Sequence, residues 1–140
     1  VYVLAGNGTL WALDEVTGGV IWKSQMDGRA FQSSTPACDG ERIYAASDTG
    51  DLAAFDARTG EMIWTDHLTD KRFECPVTYA DGRIFLGESI AYGKGLKRYF
   101  SFDRDGNEYW NATAETSGYL WNGASAVSYT HLTLPTIYSV

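Results

Sequence analysis

Cysteine and histidine, two residue types that often act as nucleophiles, bases or metal ligands, are scarce among the 140 residues. The chain has two cysteines, Cys38 and Cys75, and two histidines, His67 and His131. Zinc sites need such residues in closely spaced pairs, and two cysteines form no disulfide framework. We expect both cysteines to be buried strand residues, as unpaired cysteines usually are. We expect His67 to be a solitary, solvated loop histidine.

Nucleophilic and acid–base sites are equally hard to find. No serine lies in a G-x-S-x-G sequence, the turn that exposes a hydrolase nucleophile. The segment DRDGNE, residues 103–108, has the Asp and Gly of a calcium loop but lacks its third spaced carboxylate and its distal Glu. Most other aspartates fall in turns, where the carboxylate bonds to the backbone. The sequence therefore predicts no catalytic residue, no metal ligand and no cofactor.

The composition excludes several further classes of function. The formal net charge is −7, with 44% hydrophobic and 21% charged residues, which is typical of one folded domain. An acidic chain lacks the basic surface that nucleic-acid binding requires. No apolar run approaches the roughly 20 residues of a transmembrane helix. We expect neither a nucleic-acid partner nor a transmembrane segment.

The aspartates and tryptophans follow an internal repeat. The segment ALDEVTGGVIW, residues 12–22, recurs 42 residues later as AFDARTGEMIW, residues 54–64. A looser third copy, SFDRDGNEYW, occupies residues 101–110. A period of this length is typical of the blades of β-propellers.

Each repeat divides into four short strands rich in Ile, Tyr, Phe and Val, separated by turns that carry Asp and Gly. No segment shows the 3.6-residue periodicity of an amphipathic helix. The sequence predicts an all-β fold, a partial β-propeller of about three four-stranded antiparallel blades. The predicted blades are residues 1–25 (without a first strand), 31–68 and 74–114 (with a longer loop), and residues 119–126 begin another blade.

A blade cannot bury both of its faces alone, so its neighbours must stack on it. A tryptophan at one place in each outer strand can fill the gap between blades. The residues predicted to form this structural docking motif are Asp14, Thr17, Gly18, Trp22, Asp56, Thr59, Gly60, Trp64, Asp103, Gly106 and Trp110.

The pattern G-x-L-x-A-x-D-x-x-T-G-x-x-x-W, residues 50–64 here, resembles the repeat of the pyrroloquinoline-quinone-like (PQQ-like) β-propeller family. In that family the motif docks tryptophans between blades. The family contains quinoprotein dehydrogenases, which bind PQQ and Ca²⁺, and non-catalytic propellers such as a bacterial outer-membrane assembly lipoprotein. The dehydrogenases' adjacent-cysteine disulfide has no counterpart here, since Cys38 and Cys75 lie in different repeats.

The resemblance favours a non-catalytic binding or scaffolding module of an extracytoplasmic or cell-surface protein, with a protein or cell-envelope component as partner. The alternatives are part of a PQQ-dependent dehydrogenase and an extracytoplasmic sensor domain. The acceptor patterns for N-glycosylation at Asn7 and Asn111 agree with an extracytoplasmic location.

Three blades do not close a ring, so we interpret the chain as part of a longer protein that supplies the remaining blades. Residues 127–140, VSYTHLTLPTIYSV, contain no charged residue and no Asp-Gly turn. They resemble the translated read-through of a sequencing adaptor, and we interpret them as a non-native tail. The alternative is a genuine strand, because Thr, Ile, Tyr and Val favour strands.

In the predicted topology, the loops after the second and fourth strands of each blade share one face. This face would gather a basic patch for an anionic ligand or partner. The alternative is ordinary solvated loops with a tolerated insertion. The predicted patch consists of Arg29, Lys71, Arg72, Tyr92, Lys94, Lys97 and Arg98.

Overall fold

The computed structural model describes residues 1–30, 34–89, 96–115 and 124–125. The strands are β1 (Tyr2–Leu4), β2 (Thr9–Leu13), β3 (Val20–Gln25), β4 (Ala37–Cys38), β5 (Arg42–Ala46), β6 (Asp51–Asp56), β7 (Met62–His67), β8 (Arg72–Phe73), β9 (Thr78–Ala80), β10 (Arg83–Ser89), β11 (Leu96–Asp103) and β12 (Glu108–Glu115). In these ranges no helix is long and apolar enough to cross a membrane.

The strands form three antiparallel sheets that follow one another along the chain. The first blade has the order β1-β2-β3 and the second the order β4-β5-β6-β7. In the third blade, β10, β11 and β12 are consecutive neighbours, and both β8 and β9 pair with β10. The predicted all-β fold with successive antiparallel blades is confirmed.

The third blade differs in detail from the prediction, because β10 extends to Ser89. Its start pairs with β9 and its end with β8, and between them the Gly87 N–H donates to Cys75 Sγ at 3.2 Å. The sheet thus runs from Arg72 to Glu115, slightly beyond the predicted 74–114. Apart from residues 124–125, the predicted next blade and the tail lie outside the described residues.

The prediction that both cysteines are buried strand residues holds in part for each. Cys75 is buried but lies between β8 and β9, whereas Cys38 lies in a strand but is exposed. Cys38 belongs to β4, a two-residue strand at the edge of its sheet, so fewer neighbours cover it. A strand assignment alone does not distinguish an edge strand from a covered one.

Each outer strand has a bulge directly before its tryptophan. In the first blade Trp22 pairs with Ala12 while Val20 pairs with Leu13, so Ile21 is an extra residue. The same irregularity recurs between β6 and β7 and between β11 and β12. Because a bulge bends its strand and re-aims the following side chain, it sets the direction of the indole ring.

Two apolar cores lie between successive blades rather than within one blade. The core between the first and second blades contains Leu10, Met26, Ile43, Ala45, Ala53, Phe55 and Ala57. The core between the second and third blades contains Tyr44, Ala46, Leu52, Ala54, Phe73, Cys75, Val77, Ile84, Leu86, Phe100 and Phe102. Stacking of the blades therefore buries the alternate side chains of the middle strands.

The turn between the last two strands of a blade is built around one aspartate. Asp56 Oδ1 accepts backbone hydrogen bonds from Arg58 (2.9 Å) and Thr59 (2.8 Å), and the Gly60 N–H donates to the Asp56 carbonyl at 2.9 Å. Gly60 has a φ of 77°, which favours glycine. The bonds from Thr59 and Arg58 hold the pKa of Asp56 below its ordinary value. We call this turn a tryptophan seat, and its counterparts are residues 14–18 and 103–106.

In two of these seats lies the tryptophan of the preceding blade. The Trp22 indole N–H donates to the Ala57 carbonyl at 3.1 Å, and the Trp64 indole N–H donates to the Arg104 carbonyl at 3.0 Å. A Cβ on Gly60 would lie 2.6 Å from the Trp22 ring, so a larger residue would displace the indole. The seats thus connect each blade to the next.

Candidate functional site

The loops after the second and fourth strands of the blades lie on one face, where each loop contacts the next one along the chain. Two hydrogen bonds join Arg29 and Asp48. The Asp48 N–H donates to the Arg29 carbonyl at 2.8 Å, and the Arg29 N–H donates to Asp48 Oδ1 at 2.9 Å. The Leu68 N–H donates to the Gly50 carbonyl at 2.9 Å. A Cβ on Gly50 would collide with the carbonyl of Thr69. We call residues 5–8, 26–30, 47–50 and 68–71 the loop face.

Two cations of the predicted patch converge on a buried carboxylate. Arg98 Nε and Nη2 donate to Glu88 Oε1 at 3.0 and 2.7 Å, and the Arg98 backbone N–H donates to Oε2 at 2.7 Å. Lys71 Nζ lies 3.3 Å from Oε2. Glu88 is fully buried. Burial alone would raise its pKa, but the hydrogen bonds from Arg98 and Thr69 outweigh burial and lower it.

The other members of the predicted patch that the structure describes are dispersed. Arg72 lies 3.4 Å from Glu74, which is buried and also accepts a 2.6 Å bond from Ser89. Lys97 lies in β11 rather than in an open loop, and it is fully buried. Arg29 is exposed. The predicted Tyr92 and Lys94 lie outside the described residues.

His67 is neither solitary nor in a loop, contrary to the expectation from sequence. It is the last residue of β7, with Nδ1 2.8 Å from Asp51 and Nε2 3.4 Å from Asp70. Hydrogen bonds with Asp51 and then Asp70 raise the pKa of His67. Burial raises the pKa of Asp51, but hydrogen bonds from Thr49, His67 and Ser47 outweigh this and lower it.

This cluster resembles a catalytic triad in residue types but not in arrangement. Ser47 Oγ bonds to Asp51 Oδ2 at 3.1 Å, while His67 bonds to Oδ1 of the same carboxylate. A triad instead places the hydroxyl on the imidazole, which removes its proton. Here the aspartate holds both groups, so the arrangement positions residues without activating a nucleophile.

A groove of about 380 Å³ opens on the loop face beside this cluster. Its lining residues are His67, Leu68, Thr69, Asp70, Lys71 and Arg98. The cations in its wall are oriented by buried Glu88, and Asp70 is fully exposed at its edge. The groove is therefore a mixed-charge surface rather than a purely basic one.

The segment DRDGNE does not fit a calcium ion. Asp103 Oδ1 accepts backbone bonds from Asp105 and Asn107 at 2.8 and 2.9 Å, and Oδ2 accepts the Asn107 side chain at 2.9 Å. Asp105 pairs with Arg42 at 2.7 Å. Among the described residues, no group of three or more His, Cys, Asp or Glu side chains is arranged to hold a metal.

The chain belongs to the PQQ-like repeat family of β-propellers. The family model that matches, over residues 6–136, is described as outer membrane protein assembly factor BamB. The match extends past residue 126 into the segment that we interpreted as a non-native tail. The non-native origin of residues 127–140 therefore remains a prediction from the sequence. No curated protein matches the chain.

Solved structures share the fold at low identity. The quinohemoprotein alcohol dehydrogenase ADHIIG from Pseudomonas putida HK5 has 20% identity and a TM-score of 0.72, over 80% of this chain and 19% of its own. The quinohemoprotein alcohol dehydrogenase from Comamonas testosteroni has 20% identity and a TM-score of 0.69, over 80% of this chain and 19% of its own. BamB from Moraxella catarrhalis has 20% identity and a TM-score of 0.61, over 76% of this chain and 30% of its own. The chain thus spans less than a third of each of these proteins.

Proposed function

We propose that the chain is part of a non-catalytic binding or scaffolding module of an extracytoplasmic protein, and that its partner is a protein or another envelope component. The family model described as an outer membrane assembly factor, and the similarity to BamB, support this class of function and location. The loop face is the proposed binding surface, because loops presented by a rigid scaffold commonly carry recognition.

One observation carries the proposal. Two carboxylates next to the loop face are already held by neighbouring donors: Asp51 by His67, and Glu88 by Lys71 and Arg98. A general base works best with a pKa near the working pH, but the pKa values of Asp51 and Glu88 are both lowered. Groups fixed in this way give a rigid charged surface, which suits recognition.

Part of a PQQ-dependent dehydrogenase is the second candidate, because two of the similar structures are quinohemoprotein alcohol dehydrogenases. An extracytoplasmic sensor domain is a third possibility from the family resemblance. Saturable binding of PQQ with Ca²⁺ to the chain, or oxidation of an alcohol with both added, would favour the dehydrogenase and contradict the proposal.

A photocrosslinking amino acid at Arg29 or at Arg72 is expected to capture one discrete envelope protein in a Gram-negative cell. Arg29 lies in the loop face and Arg72 follows it directly, and both residues are exposed. The matched control is Arg58, an exposed arginine in the seat turn at the opposite end of β6. Equal capture from positions 29, 72 and 58, or capture from position 58 alone, would contradict a binding role of the loop face.

A further inference from the structure

His67 lies between two carboxylates that belong to different parts of the loop face. As the last residue of β7 it pairs with Asp51, the first residue of β6, and its Nδ1 is 2.8 Å from Asp51 Oδ1. Its Nε2 is 3.4 Å from Oδ1 of Asp70, in the loop that follows β7. We call these three residues the histidine bridge, because they join the end of loop 47–50 to loop 68–71.

The first blade has a matching pair of residues that does not titrate. Thr9 and Gln25, which lie 42 residues before Asp51 and His67, pair across β2 and β3, and Thr9 Oγ1 donates to Gln25 Oε1 at 2.9 Å. The counterpart of Asp70 in the first blade is a glycine. A neutral hydrogen-bonded pair is therefore sufficient to join these strand ends, and the second blade has an imidazole and two carboxylates instead.

The bridge is complete only when the imidazole is protonated. An imidazolium donates from both nitrogens, whereas a neutral imidazole has one N–H and can donate to one carboxylate. Asp51 is also held by other groups, because its Oδ2 accepts hydrogen bonds from Ser47 and Thr49 at 3.1 and 2.5 Å. The side chain of Asp70 is fully exposed, and within the described ranges only His67 is bonded to it. Loss of the proton therefore frees Asp70 rather than Asp51.

Freeing Asp70 changes the groove of the loop face. His67, Asp70, Lys71 and Arg98 all line this groove. With His67 protonated, the lining has three cations and one carboxylate that is paired with the imidazolium. With His67 neutral, it has two cations and a carboxylate without that partner. Both the charge of the groove and the restraint on loop 68–71 thus depend on one proton.

We propose that the histidine bridge makes the loop face pH-dependent: it fixes loop 68–71 when His67 is protonated and releases this loop when His67 is neutral. This regulation rests on the proposed function, since it acts on the same binding surface. Among the described residues, the charged groups that face the imidazole are Asp51 of β6, Asp70 of the following loop, and Lys71 and Arg98 across the groove.

The direction of the pH dependence follows from these neighbours. The two cations are each paired with a buried carboxylate, whereas the two aspartates are bonded to the ring itself. Hydrogen bonds with Asp51 and then Asp70 raise the pKa of His67 above its ordinary value of 6.5. The bridge is therefore fully formed below pH 6.5 and is lost as the pH rises through the folded-state pKa.

NMR on the isotope-labelled full chain, titrated from about pH 5 to about pH 9, tests this proposal. The amide signals of Asp70 and Lys71 are expected to shift with the same midpoint as the His67 ring, above pH 6.5. The heteronuclear NOE of the Asp70 amide is expected to fall once the ring is neutral. Asp70→Asn is expected to lower the midpoint, because one carboxylate is lost. Asp27→Asn, at an exposed aspartate in the corresponding loop of the first blade, is the matched control and should leave the midpoint unchanged.

A double variant, Asp51→Thr with His67→Gln, tests the bridge without breaking the strand ends. It introduces the pair found in the first blade, and it is expected to keep the fold and to abolish the pH-dependent shift at Asp70. A midpoint at or below 6.5, Asp70 and Lys71 amides that do not follow the ring, an unchanged NOE, or a double variant with the wild-type response would overturn the proposal. These measurements need no partner, so their failure is distinct from a failure of capture at Arg29 and Arg72, which would count against the binding role itself.

Discussion

Trp64→Ala is expected to destabilise the chain by about 3 kcal/mol, at the lower end of the cost of truncating a core tryptophan because Trp64 is half-buried. The indole packs against the core between the second and third blades and donates to the Arg104 carbonyl at 3.0 Å. Truncation removes this apolar contact, leaves a cavity and frees that carbonyl. Urea denaturation followed by circular dichroism would measure the loss as a lower midpoint.

The chain supplies its own control for this substitution. Trp110→Ala makes the same chemical change at the same place in the third blade, where the ring is 42% exposed. It is expected to cost less than about 1 kcal/mol. Equal losses at the two positions would show that the seat contributes no stability.

Glu88→Ala is expected to cost about 3–5 kcal/mol, because it removes one partner of a buried ion pair. Lys71 and Arg98, whose side chains are each only 35% exposed, would keep their charges without their carboxylate. Glu41→Ala is the matched control: its carboxylate pairs with Arg104 at 2.7 Å, but the side chain is 79% exposed. An exposed pair of this kind is worth less than about 1 kcal/mol.

The cost of Glu88→Ala should depend on pH in a defined direction. The pKa of Glu88 in the folded chain is below its ordinary value of 4.5. Its contribution is therefore fully present above the unfolded-state pKa and is lost as the pH falls through the folded-state value. The difference between wild type and variant should shrink on acidification below about pH 4. A difference that grew on acidification would mean that the pKa of Glu88 is raised rather than lowered in the folded chain.

The blades could be predicted because their signals are local. An Asp, a following Gly and a Trp at fixed spacing specify a turn, its positive φ and the residue that lies on the next turn. Those restraints act within about a dozen residues of the chain. The repeat of 42 residues then indicates how many times the unit occurs.

The arrangement of the candidate site could not be predicted in the same way. Glu88 lies near the end of β10 and meets Lys71, which directly precedes β8, so the two residues come together only through the pairing of β8 with β10. The sequence showed the cations of the loop face but not the carboxylate that fixes them. The sequence did contain one signal of this ion pair: Glu88 lies near the end of β10, and Lys97-Arg98 lies at the start of β11, the strand that pairs with it.

Hydrogen exchange of the indole N–H groups, followed by NMR, tests whether the tryptophan of one blade docks on the turn of the next blade. We expect slow exchange for Trp22 and Trp64, which donate to the Ala57 and Arg104 carbonyls. We expect fast exchange for Trp110 in dilute protein. Slow exchange of all three under those conditions, or fast exchange of Trp22 and Trp64, would contradict this docking.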